Sequence, residues 1–211
     1  MATVSAHLAW DVARAGGLVG FGLLTASVCL GLVLSMRMTS PRWPRFVTSD
    51  LHQYLAVLTA SFLGIHVAGI LLDPYAHISV LQSVVPFTAA WRPVPLSLGI
   101  IGFELLLAVW ASSRMRVRIG YRWWRRVHYA TFAIFVGALL HGVYSGTDTH
   151  QPWVATMYAV AAGSVGGLLA WRIALSRARR GSAAGASRIA RSGPDPEQLV
   201  PRTAQIPSGR A

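Results

Sequence analysis

The chain has 211 residues, 54% of them hydrophobic and only 12% charged, with a formal net charge of +12. A soluble domain carries about twice that charged fraction, so the composition excludes an ordinary globular enzyme. The positive charge does not point to nucleic acid either, because all 19 basic residues are arginines gathered in the gaps between apolar stretches.

Those stretches run at about 15–36, 50–72, 96–113, 124–145 and 153–174. Each approaches the roughly 20 residues that a helix needs to cross a bilayer core. The fold class expected is an all-α integral membrane protein, a bundle of five transmembrane helices. The first stretch is read as a retained helix rather than a signal peptide, since Asp11 and Arg14 precede it, no small-residue cleavage site follows and Arg37 stands at its far end. Residues 1–14 then form an extracytoplasmic N-terminus. Cys29, the single cysteine, lies in this stretch and is read as a small core residue; the chain has no CxxCH for covalent haem attachment.

The second stretch reads DLHQYLAVLTASFLGIHVAGILLD, with His52 and His66 fourteen residues apart. A connection from Asp73 to Pro95 follows, carrying Pro74, Pro86 and Pro93, and is expected to be partly structured over the outer mouth of the bundle. In the third stretch Glu104 is the acidic residue at mid-depth. Such a group acts either as a proton relay or partner of a ligand histidine, or as a neutral acid bonded to a neighbouring helix. The fourth stretch reads RVHYATFAIFVGALLHGVYSGTD, with His128 and His141 thirteen apart. After the fifth, residues 176–211 are rich in Gly, Ser, Ala, Pro and Arg and are expected to form a disordered basic cytoplasmic tail near anionic lipid. His7, His77 and His150 fall outside the stretches and are read as solvated.

Orientation follows from the arginines. The gap after the first stretch, the gap after the third and the C-terminal segment hold three, six and eight of the 19, while the alternating segments hold only Arg14 and Arg92. By the positive-inside rule the N-terminus is outside and the C-terminus cytoplasmic. The absence of lysine fits the codon bias of a GC-rich bacterium, and hence a bacterial plasma membrane. Trp10, Trp91 and Trp153 at one set of ends, with Trp43, Trp123, Trp124 and Trp171 at the other, read as aromatic belts.

The second and fourth stretches run in the same direction, so His52 and His128 share one depth and His66 and His141 another, about 20 Å away at 1.5 Å per residue. Each level offers two imidazoles from separate helices, the arrangement that axial ligation of a porphyrin iron needs. Fourteen residues return to within about 40° of one helix face, but thirteen miss by about 140°. The fourth helix is therefore expected to bend or rewind, with Gly137 and Gly142 as candidates, or to meet its two haems from different sides. Arg92 beside Trp91, and Arg125 or Arg126, are candidate partners for haem propionates.

This pattern resembles the ferric reductase-like transmembrane domain, shared by NADPH oxidases and the haem subunit of the periplasmic methionine sulfoxide reductase system. The resemblance spans roughly residues 15–175 and is densest in WRRVHYATFAIFVGALLHGVYSGTDT, residues 124–149. It implies two b-type haems, an inner one on His52 and His128 and an outer one on His66 and His141. The larger members continue into flavin and nicotinamide domains, whereas only about 36 residues follow the last helix here. Flavin is thus expected through a partner, a cytoplasmic flavoprotein donor, with ferric iron, oxygen or a periplasmic redox protein as acceptor. Two alternatives stay open: a membrane anchor and electron conduit for a separate enzyme, and a non-redox transporter whose histidines carry protons or an ion.

Overall fold

A computed structural model describes residues 2–36 and 44–191. Eight helices account for almost all of them: α1 (Ala2–Ser35), α2 (Arg45–Leu72), α3 (Val80–Val84), α4 (Pro93–Arg114), α5 (Arg116–Ile119), α6 (Tyr121–His128), α7 (Ala130–Ser145) and α8 (Pro152–Arg191). Five segments are long and apolar enough to span a membrane: Leu8–Ser35, Phe46–Leu72, Pro93–Arg114, Tyr121–Ser145 and Pro152–Gly185. The molecule is an integral membrane helical bundle, with α6 and α7 together making the fourth span.

Local chemistry explains the ends. Pro44 stands before α2, and Pro74 follows its last residues, where Asp73 turns the chain by accepting a 2.8 Å bond from the Tyr75 amide. The connection to α4 contains α3, opened by a capping box in which Ser79 and Gln82 satisfy each other's backbone amides. Buried Ser97 pins this connection, accepting from the Phe87 amide at 2.6 Å while donating to the Pro93 carbonyl at 2.6 Å. Between α5 and α6 the chain turns at Gly120 with φ of 81°, a conformation that favours glycine.

Two antiparallel helix pairs carry the architecture. α1 lies along α2, and α4 lies along α7. Close approach in each pair is made by glycine, as is usual between membrane helices. A Cβ on Gly16 would stand 3.1 Å from the His66 amide nitrogen and the Phe62 carbonyl oxygen, and one on Gly69 would stand 3.0 Å from the backbone of Ala13. A core of Phe21, Leu24, Val28 and Leu32 from α1 meets Leu106 and Val109 of α4, Ile134 and Phe135 of α7, and Val154 and Tyr158 of α8. Phe21 is its hub, stacked on Phe135 at 5.8 Å and edge-on to Tyr158 at 5.1 Å. Cys29 packs beside this core, half-buried.

One expectation needs correction. The fourth span does break, but at Tyr129 rather than at a glycine. There the Thr131 hydroxyl donates to the His128 carbonyl at 2.8 Å, and the ladder tightens to a three-residue step where the Phe132 amide bonds the Tyr129 carbonyl. Gly137 and Gly142 serve packing instead: a Cβ on Gly142 would collide with the Tyr158 hydroxyl, and one on Gly137 would stand 3.4 Å from the Leu98 carbonyl oxygen. Beyond the fifth span, α8 is helical to Arg191; its alanines and arginines are strong helix formers. The remainder of that tail, residues 192–211, lies outside the described residues.

The α1–α2 contact yields a stability test. Gly69→Val is expected to cost about 1–3 kcal/mol from overpacking against the α1 backbone, read as an earlier unfolding midpoint in a denaturing-detergent titration. Gly163→Val on α8, where a Cβ meets nothing within 4 Å, is the matched control and should leave the midpoint in place.

Candidate functional site

The four histidines of α2, α6 and α7 meet in two pairs. The His52 and His128 ring centres lie 6.1 Å apart with planes at 75°, and those of His66 and His141 lie 6.2 Å apart at 80°. All four are half-buried. An imidazole nitrogen sits about 2 Å from a metal it ligates and its ring centre roughly 1 Å further back, so two imidazoles on opposite sides of one metal have centres about 6 Å apart.

Three of the rings are held by the same device. The His66 Nδ1–H donates to the Ala13 carbonyl at 2.7 Å, the His52 Nδ1–H to the Ser27 carbonyl at 3.0 Å, and the His141 Nδ1–H to the Pro95 carbonyl at 2.9 Å. Four residues after each acceptor stands a glycine: Gly17, Gly31 and Gly99. Side chains at i and i+4 share a helix face and lean toward the N-terminus, so any Cβ at i+4 would hang over the carbonyl at i. A Cβ on Gly17 would reach 2.9 Å from His66 Nδ1, one on Gly31 3.3 Å from His52 Cε1, and one on Gly99 2.7 Å from His141 Nδ1. Each glycine opens a socket for an imidazole. Because a carbonyl only accepts, each bond fixes the proton on Nδ1 and leaves Nε2 with a free lone pair.

The register explains how α1 serves both ends of α2. Ala13 and Ser27 are fourteen residues apart, as are His66 and His52, so the antiparallel pair presents two sockets to two histidines. His128 has no such socket. Its Nδ1 is buried without a hydrogen-bond partner among the described residues, and its ring is stacked on Trp124 at 5.0 Å and 26°.

A cavity of about 900 Å³ opens around the second pair, within the range of cofactor sites. Its lining includes His66, His141, Gly17, Gly99, Phe21 and Phe103, together with Arg14, Trp10, Trp91 and Asp148. Arg14 clasps Asp148 in a two-point ion pair, Nε to Oδ2 at 2.8 Å and Nη2 to Oδ1, joining α1 to the chain just beyond α7. His77, exposed and with φ of 47°, also lines the cavity.

Other singled-out residues fall elsewhere. Arg92 caps α4, donates to the Tyr144 carbonyl and lies over Trp91 at 4.8 Å; the guanidinium on the cavity wall is that of Arg14. Arg125 bonds the Tyr129 hydroxyl at 3.0 Å and Arg126 lies over Trp123 at 4.8 Å, both exposed. Glu104 is exposed on α4 and makes no hydrogen bond among the described residues, so it partners none of the histidines. His150 is exposed, and the His7 side chain lies outside the described residues. Among the described residues no group of three or more His, Cys, Asp or Glu comes together, so the only clustered imidazoles are these pairs.

No curated protein and no solved structure matches the chain. The family model of the ferric reductase like transmembrane component matches residues 16–139, more than half of the chain, including His52, His66 and His128. With five spanning helices and paired histidines between them, the chain belongs to the ferric reductase like transmembrane component family.

Proposed function

We propose that the chain is a transmembrane cytochrome b, holding one haem b between His52 and His128 and a second between His66 and His141, within a domain of residues 15–175. The observation that carries this reading is the pair of ring separations, 6.1 and 6.2 Å, on facing helices. The donor set fits the group. A bare structural metal takes about four protein ligands, whereas porphyrin iron brings four nitrogens of its own and asks the protein for two axial ones. Two facing imidazoles at each level meet that demand, three of the four with Nδ1 bonded to a carbonyl and Nε2 free, and the apolar cavity beside His66 and His141 suits a flat macrocycle.

Bound haem iron supplies one-electron exchange between ferric and ferrous states. The protein's share is to fix the imidazoles and exclude water. Ala13, Ser27 and Pro95 orient three ligand rings through their carbonyls and raise their basicity. Phe21, Leu24, Leu63 and Ile134 keep the surroundings dry. The arginine distribution supports an orientation with the His52–His128 level toward the cytoplasm of a bacterial cell. Electrons then enter from a cytoplasmic flavoprotein and leave at the His66–His141 level to an acceptor outside, such as ferric iron, oxygen or a periplasmic redox enzyme. Arg14, the arginine that lines the cavity, suits a carboxylate of a bound cofactor.

Reduced-minus-oxidised spectra of the purified chain, with haem extracted and counted, test this directly. Two non-covalent b haems per chain are expected; a colourless preparation made with ample haem supply would sink the proposal and favour a transporter. His66→Ala and His141→Ala should each remove one haem, and His52→Ala and His128→Ala the other.

A subtler test uses the sockets. Gly99→Val and Gly17→Val leave every ligand in place but push the imidazole off its carbonyl. Both should weaken retention of the same haem that His141→Ala removes, by about 10- to 100-fold, measured as transfer of haem to an apo-globin acceptor. Gly31→Val should weaken the other haem instead.

A further inference from the structure

At three of four positions the ligand imidazole rests on a helix carbonyl with a glycine one turn on. The fourth position departs from that pattern in both partners. Along the antiparallel α4–α7 contact Pro95 opposes His141, so the residue thirteen further on, Ala108, would have to oppose His128, with Ser112 where a glycine belongs. Ala108 is exposed and turned away, as the thirteen-residue spacing requires. His128 has no α4 carbonyl to lean on.

Trp124 stands in that gap. Its indole lies one helical turn before His128 and stacks face to face on the imidazole, 5.0 Å between centres and 26° between planes. Its Nε1–H donates to Ser113 Oγ at 3.2 Å, and that hydroxyl donates on to the Val109 carbonyl at 2.8 Å. The indole is further flanked by Tyr121 at 5.5 Å and by the Arg116 guanidinium at 5.4 Å. Thus α4 does reach His128, but through an indole bridge rather than a carbonyl. Trp124 is half-buried, unlike its neighbour Trp123, which is exposed under Arg126.

We propose that Trp124, anchored to α4 by Ser113, is the positioning residue for His128: it sets the plane of that imidazole by stacking where the other three are set by a hydrogen bond. The inference rests on the haem reading above. It assigns to one tryptophan of the apparent aromatic belt a role in holding one haem and not the other.

The test compares Trp124→Leu, Trp124→Phe, Ser113→Ala and Trp123→Leu in the full chain with haem bound. The low-spin electron paramagnetic resonance signal of a bis-imidazole haem reports the angle between its two ligand planes, 75° for His52 and His128. Trp124→Leu should move or broaden the signal of that haem alone and weaken its retention about 10-fold or more, while the His66–His141 haem keeps its signal and stoichiometry. Trp124→Phe, which keeps an aromatic face, should restore most of both readouts; Ser113→Ala should shift the same signal in the same direction by less, and Trp123→Leu should change nothing. An unchanged signal in Trp124→Leu, equal disturbance of both haems, or Trp124→Phe behaving like Trp124→Leu overturns the assignment. A silent Ser113→Ala overturns the anchor to α4. A wild-type protein without haem overturns the cytochrome reading itself, and is recognised before any variant is made.

Discussion

The bond between an imidazole N–H and a helix carbonyl is the constraint from which the site follows. A helix carbonyl already accepts from the amide one turn on, but its second lone pair is free. Normally the i+4 side chain covers it. Replacing that side chain with hydrogen at Gly17, Gly31 and Gly99 exposes the lone pair and lets the neighbouring helix come close. Helix pairing, ring orientation and tautomer are therefore one event. Each bond satisfies a polar N–H that lipid would otherwise leave unpaired at a cost of about 1–3 kcal/mol, and each turns Nε2 away from the backing helix.

The two sides of the site differ because of a single residue of spacing. Fourteen residues make nearly four turns, so His52 and His66 share a face of α2 and find Ser27 and Ala13 on one face of α1. Thirteen residues between His128 and His141 cannot do the same on α4. The chain responds with a break at Tyr129, where Thr131 takes the His128 carbonyl, and with a different support for the His128 ring.

The helices and the four histidines were legible in the sequence because both are written in residue identity: apolar runs of spanning length, and a rare polar residue recurring at matched depth. The sockets were not. A carbonyl acceptor belongs to every residue, so Ala13, Ser27 and Pro95 carry no mark of their role, and three working glycines are hidden among twenty. They emerge only once the antiparallel register sets Ala13 against His66 and Pro95 against His141. Arg14 was legible as one arginine on the sparse side of the membrane, yet its clasp on Asp148 depends on a contact 134 residues apart in the chain. Trp124 was masked by the very regularity of the aromatic belt. Gly142 misled because a glycine beside a histidine suggests a kink, whereas here it makes room for the Tyr158 phenol.

What sets the spacing between the facing imidazoles is a separate question from what holds each ring. The separations are nearly equal, 6.1 and 6.2 Å, although three rings sit in carbonyl sockets and one rests on an indole. Equal gaps from unequal supports mean that the distance belongs to the two helix pairs as bodies. Direct contacts between them are few beside those within each pair. They are held apart by Phe21, wedged from α1 against Phe135 and Tyr158, and tied at one end by Arg14 and Asp148. A wedge of rigid aromatic rings resists collapse, and an ion pair with 38% and 18% side-chain exposure resists splaying. The space between the pairs is thus maintained by residues other than the histidines that look into it.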